Sequence, residues 1–203
     1  MHLAVFGGSF DPPHNGHLAL ALFARELLCI DRIIISVSNN PFKERRVASD
    51  LYRLRMAALL SAEINLAGES SEVSTWELEQ QQPRQPSYTV DLLRHIHALY
   101  PQERVTLLVG EDSYSEFSSW KEPEEIRALA AIAVFGRRLE GVPLPPAEAR
   151  GPQNVRYIDF AAPVSSSDIR QLIGAGHSVA GLVPPSVLRY ITRHNLYLEE
   201  PAT

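Results

Sequence analysis

The chain has 203 residues, 45% of them hydrophobic and 21% charged, with a net charge of −5. That length suits one domain able to bury its own core, and the acidic balance excludes bulk attraction to nucleic acid or to an anionic membrane. A single cysteine, Cys29, excludes an internal disulfide, and its apolar neighbours Leu27, Leu28 and Ile30 predict a buried thiol.

Residues 3–6, Leu-Ala-Val-Phe, form an apolar run ending at Gly7-Gly8, which predicts a buried strand feeding a tight turn. Met1 to Gly8 lacks the basic start and long apolar stretch of a secretion signal. No apolar run reaches the roughly 18 residues that span a bilayer, so a cytoplasmic protein is expected. From Gly16 to Leu28 the residues Leu18, Ala21, Leu22 and Leu28 recur at helical spacing, and Ile33 to Val37 predicts a second buried strand. Strand, helix and strand in this order make a right-handed βαβ unit with parallel strands. The alternation continues with a helix over Asp50–Ala62, capped by Ser49 or Asp50, and a short strand at Val73-Ser74. A polar, proline-bearing loop over 80–87 then leads into a helix over Thr89–Leu99. A strand at Val105–Val109 ends at Gly110, and Pro123, followed by Glu124 and Glu125, predicts a helix start. Ala131–Phe135 predicts another strand, and residues 139–153, with four prolines, predict a loop. Val155–Ile158 predicts the last strand, and helices after Ser166 and after Pro184-Pro185 close the chain. The expected fold is α/β: a Rossmann-like, doubly wound, mainly parallel sheet with a small C-terminal helical part over about 164–198, all within one domain, 1–203. In such sheets ligands sit beyond the carboxyl ends of the strands.

The stretch Gly7-Gly8-Ser9-Phe10-Asp11-Pro12-Pro13-His14-Asn15-Gly16-His17 follows the first strand and opens the first helix. It lacks the Gly-Lys-Ser/Thr ending of a P-loop and the glycine spacing of a dinucleotide fingerprint. It remains a glycine-bearing strand-to-helix turn, where backbone N–H groups and the helix dipole attract anions. His14 and His17 lie three apart, so both can face one side of the helix start and donate to phosphate oxygens. On the residues alone two other readings stay open, a metal pair completed by Asp11 and a solvated helix start. A second stretch, Ser165-Ser166-Ser167-Asp168-Ile169-Arg170, sets hydroxyls, free N–H groups and a guanidinium at another helix start. Taken by itself it also reads as an ordinary serine cap.

Gly8 to His17 resembles the G-x-F-x-P-x-H-x-G-H signature of the nucleotidyltransferase α/β-phosphodiesterase superfamily, and Ser165 to Arg170 resembles its companion S-S-T-x-I-R motif, with Ser167 in place of Thr. Pro41-Phe42-Lys43, Pro86 to Asp91, Gly110-Glu111-Asp112, Trp120 and Pro184 to Tyr197 are similar, in order, to landmarks of the bacterial nicotinate-nucleotide adenylyltransferases. The resemblance implies transfer of AMP from ATP to nicotinate mononucleotide, with Mg²⁺ carried by the ATP phosphates. It implies that His14 and His17 meet the ATP phosphates, with Gly7, Gly8, Ser9 and Phe10 forming the turn around them. Ser165, Ser166 and Arg170 would hold the phosphates that leave, and Gly110 and Asp112 the adenosine ribose. For the acceptor, Lys43 would meet its phosphate, the Tyr88 and Thr89 amides its carboxylate, and Trp120 its ring. Arg137 or Arg138 would add a phosphate or adenine contact.

Nicotinamide mononucleotide, phosphopantetheine or another small phosphate remain alternative acceptors for the same chemistry. A catalytically silent nucleotide sensor and a fragment of a class I aminoacyl-tRNA synthetase are rivals from other classes. Intact His14, His17 and Arg170 weigh against the first, and the lack of a basic surface against the second. The expected partners are ATP and the mononucleotide, with no nucleic acid and no membrane. The sequence is compatible with a homo-oligomer.

Overall fold

The computed structural model describes residues 1–39, 47–80, 86–136 and 154–198. Six strands form one sheet: β1 (His2–Gly8), β2 (Arg32–Val37), β3 (Ser71–Ser74), β4 (Arg104–Gly110), β5 (Ala131–Gly136) and β6 (Val155–Asp159). Their order is β3-β2-β1-β4-β5-β6, and every pairing is parallel. The helices between them are α1 (Asn15–Leu28), α2 (Asp50–Asn65), α3 (Trp76–Glu79), α4 (Thr89–Leu99), α5 (Glu111–Ser115) and α6 (Pro123–Leu129). Two more, α7 (Ser166–Gly174) and α8 (Pro185–Arg193), come after the last strand. The expected α/β sheet is therefore present. Among the described residues it is wholly parallel.

The strand sequences explain the layering. Successive side chains point to opposite faces, and β1 is apolar on both. Ala4 and Phe6 pack with Ile33 and Ile35 against α1 and α2, through Leu20, Ala21, Ala24, Leu60 and Ile64. Leu3 and Val5 pack with Val105 and Leu107 against α4 and α6, through Val90, Leu93, Ile96 and Ile126. A third apolar cluster joins α7 and α8 to α2, through Ile169, Ile173, Val187, Ile191 and Met56. The strand order reverses direction between β1 and β4. At such a switch point the flanking connections leave to opposite faces, and a crevice opens at the carboxyl edge.

Cys29 departs from expectation: it is exposed. It caps the C-terminus of α1 in the left-handed conformation, φ 50°, where the chain reverses. Its apolar neighbours signalled the core, but the reversal carries the thiol outward.

Candidate active site

β1 delivers Gly7 and Gly8 to the carboxyl edge of the sheet, and the chain then turns through Ser9 to Pro13 into α1. A Cβ on Gly8 would stand 3.0 Å from the Phe10 ring, and one on Gly16 would stand 2.9 Å from both His14 Nδ1 and Ala162. A side chain at either position would push the turn apart. Phe10 is buried with φ 48°, and the Asp11–Pro12 peptide is cis.

Buried polar groups fix this turn from behind. The Asp11 carboxylate accepts the Val47 N–H at 2.8 Å, the Ala48 N–H at 3.2 Å and the Tyr197 hydroxyl at 2.7 Å. Burial, then the Asp11 carboxylate, pushes the Tyr197 hydroxyl far above the usual phenol range, which keeps it a donor. Arg53, 0% exposed on α2, donates to the Ser9 carbonyl at 2.7 Å and to the Asp50 carboxylate at 2.7 Å. The three donors on Asp11 occupy the carboxylate that a metal pair with His14 and His17 would have needed. Among the described residues no group of three His, Cys, Asp or Glu side chains is placed to hold a metal ion.

The two histidine rings lie against each other, tilted by 36° with their centroids 3.8 Å apart. The His14 backbone N–H donates to His17 Nδ1 at 3.2 Å. A ring nitrogen that accepts carries no proton, so the His17 proton sits on Nε2. His14 is 7% exposed, and its Nδ1 is buried with no hydrogen-bond partner. Protonating that ring would bury an unmatched charge. Burial accordingly lowers its pKa from 6.5 to about 4, with the Asp168 carboxylate pulling the other way. Between about 6.5 and about 4 an unfolded chain takes up a proton that folded His14 refuses, so stability falls as pH drops through that window. Melting temperatures from pH 7 to 4.5 should fall more steeply for the wild-type chain than for His14→Asn. Parallel curves would show that His14 does not titrate differently on folding.

The second motif lies directly on the first. The Ser166 hydroxyl donates to the Pro12 carbonyl at 2.8 Å. Arg170 donates through Nη1 to the Asp11 carbonyl at 2.7 Å and through Nη2 to the Ser167 hydroxyl at 3.2 Å. Ser165 caps α7, accepting the Asp168 N–H at 3.1 Å. At the start of α1, the Asn15 N–H bonds the Leu182 carbonyl at 2.8 Å, and its side-chain amide bonds the Gly181 carbonyl at 2.7 Å. The fold thus gathers Gly7 to Phe10, His14, His17, Ser165, Ser166 and Arg170 at one place on the carboxyl edge.

Beside them, at the β1–β4 switch, lies a cavity of about 640 Å³ whose wall includes Gly7, Gly8, Tyr88, Thr89, Gly110 and Trp120. That size takes a ligand as large as a mononucleotide. Trp120 leans on Phe117, ring centroids 5.3 Å apart, and α4 begins at Thr89 with Tyr88 as its cap. Asp112 is exposed in α5 and does not line the cavity; Gly110 and Ser113 supply that part of the wall. Lys43, Arg137 and Arg138 lie outside the described residues.

Residues 5–172 match the cytidylyltransferase-like family. The chain belongs to the cytidylyltransferase-like family. Two similar curated proteins are each named "Probable nicotinate-nucleotide adenylyltransferase". That of Chlorobium luteolum is 58% identical over 98% of this chain and 100% of its own length. That of Pelodictyon phaeoclathratiforme is 54% identical over 98% and 93%. Among solved structures, Plasmodium falciparum nicotinic acid mononucleotide adenylyltransferase complexed with NaAD superposes with a TM-score of 0.76. It covers 97% of both chains at 20% identity, a likeness of fold.

Three residues of this cytidylyltransferase-like chain carry little signal in the sequence. Arg53 looks like the polar side of an amphipathic helix. Glu77 sits in a four-residue helix too short to show a period, yet it is 6% exposed. Lys121 follows Trp120 and joins the cavity wall, with its ammonium 4.7 Å from the Tyr88 ring centroid and 3.1 Å from Asp91. Only the last has a signal, its adjacency to Trp120.

Proposed function

We propose that the chain transfers AMP from ATP to nicotinate mononucleotide, giving nicotinate adenine dinucleotide and pyrophosphate as a step of NAD biosynthesis. The single observation that carries this reading is the direct bonding of Ser166 and Arg170 to the turn that bears His14 and His17, beside a mononucleotide-sized cavity. The acceptor's phosphate oxygen attacks the α-phosphorus in line. A new P–O bond forms as the bond to the pyrophosphate oxygen breaks, and no protein nucleophile is needed because the attacking group is already an anion. The chain's own work is positioning and charge stabilisation.

In this reading the Gly7–Phe10 turn, His14 and His17 meet the phosphates around the reacting centre. Ser165, Ser166 and Arg170 receive the leaving pyrophosphate. A guanidinium has five N–H donors, and the two bonds Arg170 makes to the protein leave others for phosphate. Gly110 and Asp112 take the ribose, Trp120 the pyridine ring, and the Tyr88 and Thr89 amides its carboxylate. Lys43 and Arg137 remain candidates for phosphate. A divalent ion, proposed as Mg²⁺, would come with the ATP phosphates rather than sit in a protein cage, and would offset their negative charge. The helices α7 and α8 belong to the same catalytic unit as the sheet, since α7 carries Ser166 and Arg170. No helix among the described residues is long and apolar enough to cross a membrane, which suits a cytoplasmic enzyme of small molecules.

Pyrophosphate release should be measured with ATP, Mg²⁺ and a panel of nicotinate mononucleotide, nicotinamide mononucleotide and phosphopantetheine. The expected result is fastest release with the acid nucleotide. Faster release with either other acceptor would replace the substrate, and no release with any would remove the activity.

A further inference from the structure

Glu77 is an anomaly in the acceptor cavity. It is 6% exposed, it lines the cavity wall, and both carboxylate oxygens are engaged. The Ser36 hydroxyl donates to Oε1 at 2.6 Å and the Ser87 hydroxyl to Oε2 at 2.6 Å. Among the described residues no cation pairs with it. Lys121, on the same wall, is committed to Asp91 at 3.1 Å. Glu116, the other carboxylate on the wall, is exposed, so water screens its charge. A buried carboxylate held only by neutral donors keeps much of its desolvation cost, and that cost is recovered when a cation arrives.

A pyridine ring joined to ribose through its nitrogen is such a cation. It carries a formal positive charge on the ring whatever stands at the neighbouring carboxyl position. We propose that Glu77 is the counter-charge for the cationic ring of the acceptor nucleotide, making ring charge a determinant of which mononucleotide binds. This rests on the pyridine-nucleotide reading above. The placement fits it. Ser87, which Glu77 grips, immediately precedes Tyr88 and Thr89, the residues proposed to meet the ring's carboxylate. Trp120 on the cavity wall offers an aromatic face, which also favours a cation. Cation-attracting and anion-attracting elements would then recognise the two ends of one zwitterionic ring.

The test uses two ligands of one shape. Nicotinate mononucleotide has a charged ring, and the C-nucleotide bearing a 3-carboxyphenyl ring has the same outline without that charge. Kd values for both are measured on the full chain, as wild type and as Glu77→Gln. The wild type should prefer the charged ring by about tenfold or more, the scale of one partly screened charge pair. Glu77→Gln should lose that preference by weakening only the charged ligand, leaving the neutral one within about twofold and the ATP KM unchanged. Glu77→Asp, which keeps the charge, should retain the preference. Equal weakening of both ligands would make Glu77 a clasp for Ser87 and nothing more. Equal binding of both by the wild type would overturn the proposal whether or not the variants fold. Binding of neither would overturn the acceptor reading itself.

Discussion

His17→Ala should lower turnover by about 10²-fold or more while leaving the KM for the acceptor nearly unchanged. That is the scale of effect when one preorganised donor to a developing charge is removed. The histidine is suited to the task because the His14 backbone N–H fills Nδ1, which leaves the proton on Nε2. The ring is also held among aromatic neighbours, its centroid 5.2 Å from that of Phe10 and 5.9 Å from that of Phe6. Its orientation is therefore set before substrate arrives, and the reaction needs no reorganisation of the ring. Steady-state rates of pyrophosphate release, with ATP and acceptor varied in turn, separate kcat from KM. Turnover within about threefold of wild type would remove His17 from the transition state. A rise in KM with unchanged kcat would make it a binding residue only.

Arg53→Ala should cost about 3 kcal/mol of stability, the low end of the range for a buried charge pair that loses one member. For a chain of this size that corresponds to a melting temperature roughly 10 °C lower. Three losses combine: the Ser9 carbonyl loses the Arg53 donor, a large fully buried side chain leaves a void, and the Asp50 carboxylate loses one charged partner. Asp50 is 37% exposed at its side chain, so water takes up part of the last loss and the lower end of the range applies. Arg53→Lys should recover little, since one ammonium cannot reproduce two bonds in the planar geometry of a guanidinium. Calorimetry on the three proteins checks this. A drop of less than about 2 °C for the alanine variant would mean that the Ser9 turn stands without its buried support.

The parts of the fold that the sequence disclosed are those governed by local periodicity. The helix at Thr89–Leu99 begins and ends where its pattern says, and the strands β1, β2, β4 and β5 contain the expected apolar runs and extend past them. Such runs are legible because a doubly covered strand must be apolar throughout. The helices α3 and α5, at four and five residues, are shorter than the window in which a period can show. Motif spacing singled out His14, His17, Ser166 and Arg170, and the fold brings these four to one turn. Arg53 and Glu77 were illegible for the opposite reason. A charged residue in a helix reads as solvent-facing unless something distant buries it. The distant partners are the Ser9 carbonyl in one case and a pair of hydroxyls from Ser36 and Ser87 in the other. Cys29 shows the same limit in reverse, since an apolar neighbourhood in sequence did not survive one left-handed residue.

The hydroxyl of Tyr197 closes over Asp11, one of the first turns of the chain gripped by one of its last residues. On a ribosome 186 residues of synthesis separate these two residues. Through that interval the strand-to-helix turn already exists as sequence but lacks its tyrosine donor and the arginine of α7. The nascent chain can lay down its early strands in order, yet this turn is clasped from behind only once Tyr197, beyond α8, has emerged. A half-made copy therefore holds that turn without two of the bonds that fix it in the finished fold.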